Sequence, residues 1–278
     1  MFSTNNLHSN CKLVFSSTIA AGLLLALQPL AAQVGLGLSP MRAEMHLAPG
    51  AAYTGVLRLV NEGAAVHVRS SLLDFHLDAE QTPQFEAEFA AESAYSCRQW
   101  LAVNPMETEL DANGEKAMRY TLRVPVDAQP RSYHCAAGFT TMSPASDANG
   151  MGLRTAVRVV AAFYVIVGNP AVEGQLSEVA MEQVPGSKGL RAVVVLENSG
   201  KIFFRPTGSV AVLDPDGKVL ETYQMTPVPI LPERKQRLLF PLKQVAEGQP
   251  YSIRVRVDVG TGEIQEGTVV VQAAKSSQ

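Results

Sequence analysis

Beyond the first thirty-odd residues the chain repeatedly alternates apolar and polar side chains with a period of two. Tyr251, Ile253, Val255, Val257 and Val259 alternate with Ser252, Arg254, Arg256 and Asp258. Met118, Tyr120, Leu122 and Val124 do the same around Arg119, Thr121 and Arg123. This period predicts half-buried strands. Val56–Val60, Val66–Leu77, Leu190–Asn198 and Thr207–Asp214 are read as strands too. Turn chemistry separates them at Pro49-Gly50, Asn61-Glu62-Gly63, Asn113-Gly114, Asp214-Pro215-Asp216-Gly217 and Gly260-Thr261-Gly262. No long, capped 3.6-residue period follows the opening segment. Phe85 and Phe89, four apart in an Ala/Glu-rich stretch, are read as a loop with one helical turn. Many short strands with frequent turns predict an all-β chain built as a sandwich or barrel. The boundary falls at Gly168-Asn169-Pro170, directly after the apolar run Val157–Val167, because proline stops a strand. The expected organisation is two all-β domains, 33–168 and 169–278, after a cleaved signal peptide.

That signal peptide is expected over residues 1–32. Lys12 precedes the apolar and small-residue run Leu13–Leu27, then Gln28-Pro29 breaks it and Leu30-Ala31-Ala32 supplies a small-residue exit. The run is shorter than the ~20 apolar residues a helical membrane span needs. The mature chain is therefore expected outside the cytoplasm, with no stable membrane span.

Composition narrows the function. Of 278 residues, 46% are hydrophobic and 18% charged, which argues for packed domains rather than disorder. With 23 basic and 26 acidic residues, there is no basic excess to favour nucleic acid. Cys11 leaves with the leader, so Cys97 and Cys135 remain, and an even count in an exported β domain favours a disulfide. A bridge closing ~40 residues is worth about 3–4 kcal/mol on the chain-entropy estimate. Tyr133, two before Cys135, has tyrosine-corner spacing, and Trp100 lies close enough to Cys97 to pack on the bridge. His46, His67, His76 and His134 form no metal-ligand spacing, and Asp214–Gly217 suits a β-turn better than a calcium loop. No nucleophile has an evident base. Neither an enzyme nor a cofactor is expected.

The order of residues in the first domain adds more. Leu38-Ser39-Pro40-Met41-Arg42-Ala43-Glu44 is followed by Pro49-Gly50, then Val60-Asn61-Glu62-Gly63. Further on come Trp100–Pro105, Leu110–Gly114, Tyr120–Pro125, Tyr133–Phe139 and a last apolar strand ending Ala162-Phe163-Tyr164-Val165. Over roughly 36–168 this ordered pattern resembles the PapD-like periplasmic pilus-assembly chaperones, as does the layout of a leader and two Ig-like domains. The resemblance implies a periplasmic chaperone that protects secreted or pilus-type subunits by β-strand donation, without nucleotide or metal. Its partners would be a protein client and, as an open question, an outer-membrane usher. It also implies a client-binding set. Val157, Val159, Ala161 and Phe163, which share one parity, would line the client's groove, or else form the core side of a strand buried on both faces. Arg42 matches a cation of the opening strand that anchors the client's terminal carboxylate. Arg158 is the nearest cation on the last strand, one residue from the family's second anchor and so expected on the other face. A structural Ig-like envelope or adhesion protein without chaperone activity is the alternative.

Overall fold

The computed structural model describes residues 35–78, 82–87, 94–142, 156–246 and 248–272. The expected leader and Phe89 lie outside them. Ten strands come first: β1 (Leu36–Ser39), β2 (Arg42–Leu47), β3 (Ala52–Asn61), β4 (Val66–Leu77), β5 (Pro83–Glu86), β6 (Leu101–Asn104), β7 (Glu107–Leu110), β8 (Glu115–Arg123), β9 (Arg131–Met142) and β10 (Arg158–Val167). Seven follow: β11 (Gly174–Gln183), β12 (Leu190–Asn198), β13 (Thr207–Leu213), β14 (Val219–Gln224), β15 (Arg234–Pro241), β16 (Pro250–Asp258) and β17 (Ile264–Gln272). The chain is all-β and forms two immunoglobulin-like sandwiches. One pairs the sheet β1-β3-β8-β6 with β2-β10-β9-β4-β5, to which β7 adds on β4. The other pairs β11-β12-β15 with β14-β13-β16-β17.

Alternation decides which side chains fill each sandwich. On β8, Met118, Tyr120 and Leu122 are buried, while Arg119 and Arg123 stay exposed. On β16, Tyr251, Ile253, Val255 and Val257 are buried and Arg254 and Arg256 are not. A fully buried aliphatic or aromatic side chain contributes about 1.5–3 kcal/mol, so these rows fix strand register. The first core gathers Leu57, Leu59, Met118, Leu122, Phe139, Phe163 and the disulfide-bonded Cys97 and Cys135. Trp100 packs on Tyr133, ring centroids 4.2 Å apart. The Tyr133 hydroxyl donates to the Gln129 carbonyl at 3.0 Å, closing a tyrosine corner.

Two local features position the site described below. The opening strand changes sheets: β1 pairs antiparallel with β3, and β2 pairs parallel with β10. Pro40, which has no N–H to give a ladder, sits between them. The stretch around Phe85, expected as a loop, is instead the strand β5. It pairs with the end of β4, with Phe85 opposite Phe75 and their rings 5.5 Å apart. Such a cross-strand aromatic pair outweighs the weak helical spacing that suggested a turn.

Candidate functional site

β10 has two halves with different neighbours. From Ala162 to Val167 it lies between β9 and β2, with Ala162 opposite Arg42. From Arg158 to Ala161 it pairs with β9 alone among the described residues. The direction of its backbone groups follows from two hydrogen bonds. Ala162 N–H donates to the Met41 carbonyl at 2.9 Å, so even-numbered residues address the β2 side. Thr141 N–H donates to the Val157 carbonyl at 2.9 Å, so odd-numbered residues address β9. The backbone groups of Arg158 and Val160 therefore point along the open edge, because both groups of a residue in an antiparallel pair face the same neighbour. Four residues of edge offer about 13 Å of ladder.

A groove of about 450 Å³ lies beside this edge, lined by Met41, Arg42, Pro83, Phe85, Arg158, Val159, Val160, Ala162, Tyr164 and Arg205. Its wall is mostly apolar, and three guanidinium groups converge on it. Arg158 donates through Nη2 to the Phe85 carbonyl at 3.2 Å, and its Nε lies 3.4 Å from where a Cβ on Gly138 would stand. A larger residue at 138 would crowd that path. Arg42 is 57% exposed, with Nε 3.2 Å from Glu44 Oε1. Arg205 comes from the second sandwich. It donates through Nε to the same Glu44 oxygen at 2.9 Å and through Nη1 to the Pro227 carbonyl at 3.0 Å. Its Nη2 is 2.7 Å from Glu44 Oε1 as an ion pair, without the alignment of a hydrogen bond. The Arg205 guanidinium carbon sits 5.0 Å from the Tyr164 ring centroid and 5.7 Å from that of Phe203. Burial pushes the Tyr164 phenol above its ordinary range, against the opposing pull of Arg205.

The expected client-binding residues divide between the two faces of β10. Ala161 and Phe163 are buried in the first core, and Val159 packs against it. That row faces inward, so Ala161 and Phe163 have no surface to offer a client. The reason is parity: Phe163 shares its face with Val165 and Val167, which fill the same core. Val157 is half-buried just before the strand. The groove is lined mainly by the opposite row, Arg158, Val160, Ala162 and Tyr164, with Val159 reaching its edge. Arg158 consequently shares a face with Arg42, although the one-residue offset suggested opposite faces. Beyond Arg158 both β10 rows are apolar: one fills the core, while the other borders the groove at Val160 and Ala162 and enters the joint with the second sandwich at Tyr164 and Ile166.

Sequence reasoning missed Arg205, Phe85 and Glu44. Glu44 was accessible: it follows Arg42 by two residues on a strand and so shares its face. Arg205 carried no such signal, because Glu44 and Tyr164 lie across the joint, Glu44 161 residues away.

Among the described residues, no group of three His, Cys, Asp or Glu side chains is placed to hold a metal ion. No helix there is long and apolar enough to cross a membrane. No family model and no curated protein matches the chain. Solved structures do. A chaperone–tip adhesin complex of CFA/I fimbriae biogenesis is similar at 11% identity and TM-score 0.44, covering 86% of this chain and 100% of that one. The E. coli chaperone DraB is similar at 14% identity and TM-score 0.41, covering 85% and 98%. The Salmonella enterica SafA pilin–SafB chaperone complex is similar at 18% identity and TM-score 0.41, covering 86% and 97%. All three are chaperones or complexes that contain one.

Proposed function

We propose that the chain is a periplasmic, PapD-like chaperone that takes an extended client strand onto the open edge of β10, with the client's terminal carboxylate at Arg42. In this reading residues 1–32 direct export, and 33–168 and 169–278 are the two domains that flank the groove. The observation that carries it is the meeting of an open edge, Arg158–Ala161, with an arginine-lined groove where β2 begins. Strand addition uses the backbone groups for affinity and alternate side-chain pockets for specificity.

Direction follows from register. β2 runs parallel to β10 and starts at Arg42, opposite Ala162. A client strand on the same edge and in the same direction would run out where β2 begins. Its last residue would then present a carboxylate to Arg42, with Arg158 alongside the strand. An arginine–carboxylate contact is short, charge-assisted and geometrically selective. The apolar wall of Phe85, Val160, Ala162 and Tyr164 suits a client whose alternate residues are apolar.

The test uses an acetylated peptide of alternating valine and threonine that ends in tyrosine with a free carboxylate. Binding should slow amide exchange at Arg158 and Val160. Arg42→Ala should weaken binding roughly tenfold, whereas Arg254→Ala, on the exposed face of β16, should leave it unchanged. Equal effects of the two substitutions, or protection elsewhere, would count against the reading.

A further inference from the structure

We propose that Arg205 is a positioning residue. By holding Glu44 it leaves Arg42 available to a carboxylate, and Glu44 acts as an internal competitor that sets how tightly that carboxylate is held. The inference rests on the strand-receiving reading above and deepens it.

Arg42 and Glu44 are two apart on β2, so strand geometry makes them neighbours on one face whatever surrounds them. Left to themselves, an arginine and a carboxylate this close pair fork to fork. The mouth of the groove would then be neutral, and an incoming carboxylate would have to displace Glu44. Arg205 changes the balance. Glu44 Oε1 lies 2.7 and 2.9 Å from two Arg205 nitrogens, against 3.2 Å from Arg42 Nε. Arg205 is also the better-fixed arginine: its side chain is 17% exposed, against 57% for Arg42. The Pro227 carbonyl and the rings of Tyr164 and Phe203 hold its guanidinium in place. A less exposed, pre-ordered cation is screened less and loses less freedom on pairing. Two guanidinium groups share one carboxylate, so one positive charge is left over. It falls on Arg42, the member most open to the groove, and Arg158 lines the same groove. The ligand chemistry this favours is a single carboxylate at the end of an extended chain. Glu44, on the same β2 face, remains near enough to replace it when the chain leaves.

The experiment compares the valine–threonine probe with a free carboxylate against the same peptide amidated at its C-terminus, by titration of the purified two-domain protein at low salt. The wild type should prefer the carboxylate roughly tenfold. Arg205→Gln should reduce the preference to about twofold or less, because Glu44 then pairs with Arg42. Glu44→Gln should raise it, and the double variant Arg205→Gln/Glu44→Gln should restore at least the wild-type ratio. Restoration separates positioning from a folding defect, since removing Glu44 cannot repair a displaced second sandwich. If Arg205→Gln keeps the wild-type ratio, or the double variant stays low, the inference fails while the strand-receiving reading stands. If the wild type binds neither peptide, or both equally, the strand-receiving reading itself fails and the inference goes with it.

Discussion

Asn61 and Asn198 hold the same place in the two sandwiches. Each is the last residue of a strand, β3 and β12, each is followed by x-Gly, and each is 1% exposed. The Asn61 amide donates to the carbonyls of Ala64 and Asp111 at 2.7 and 2.8 Å and accepts from Gly63 N–H at 3.2 Å. The Asn198 amide donates to the carbonyls of Ile202 and Ile230 at 2.9 and 3.0 Å and accepts from Gly200 N–H at 3.0 Å. A side-chain amide suits this task because it carries two donors and an acceptor on one rigid plane. Asn198→Ala leaves three backbone groups without that partner where water is excluded. It should cost about 2–3 kcal/mol, read as a lower urea midpoint with an unchanged slope. Asn198→Asp should cost more at neutral pH, because an acceptor replaces the donor that faces two carbonyls. A loss below about 0.5 kcal/mol for either variant would mean the loop satisfies itself in another way. The sequence marks both positions as turns through their Asn-x-Gly spacing. It does not reveal the buried amide, because Asp111 and Ile230 lie 50 and 32 residues from the asparagines they serve.

β10 is the element where the hydrophobic pattern and the structure diverge most. A strand with one wet face announces its register through alternation, as β8 and β16 do. Apart from Arg158, Val157–Val167 is apolar on both parities, so the pattern locates the strand without fixing which row is the core. Only the neighbours settle it: Phe163 packs edge-on to Tyr120 at 4.8 Å inside the first core, while Tyr164 lies under Arg205 at the groove. The same ambiguity obscured Phe85, whose strand exists because the end of β4 offers it an edge. The open half of β10 makes a sharp prediction. Val160 aims its N–H away from β9, so Val160→Pro removes a donor from the free edge and leaves the β9 ladder intact. It should weaken binding of the valine–threonine peptide about tenfold or more, with the melting temperature nearly unchanged. Ala162→Pro is the contrast, because that N–H already donates to Met41. It should destabilise the protein by about 1–3 kcal/mol. If Val160→Pro binds the peptide as the wild type does, the client does not pair with this edge.

At the scale of the whole molecule, the groove is only as well defined as the joint between the sandwiches. Leu73, Phe75, Ala136, Tyr164 and Ile166 on the first meet Ile202, Phe203 and Leu231 on the second in one buried cluster. Polar contacts orient it. Phe203 N–H donates to Ser132 Oγ at 2.9 Å, Ser132 N–H donates to the Lys201 carbonyl at 2.8 Å, and Gln236 Nε2 donates to the Asp78 carbonyl at 3.2 Å. Burial and a hydrogen bond with Glu233, across the joint, push the Tyr95 phenol up to about 12. The residues of this joint look like ordinary loop and strand residues along the chain. What makes them an interface is contact between segments far apart in the chain, from 39 residues for Tyr164 and Phe203 to 158 for Asp78 and Gln236, which periodicity cannot register. Because two cores share one apolar bridge, the sandwiches should unfold together in a single calorimetric transition. Phe203 is 8% exposed and lies 4.9 Å from Tyr164, ring to ring. Phe203→Ala should remove about 3–5 kcal/mol, most of it from the joint, since Phe203 packs in the shared cluster rather than in either sandwich core. The endotherm should then split in two, and the peptide's carboxylate preference should fall with it, because Arg205 loses one of the rings that seat it. A single transition that moves down intact, with the preference unchanged, would show that the joint does not govern the groove.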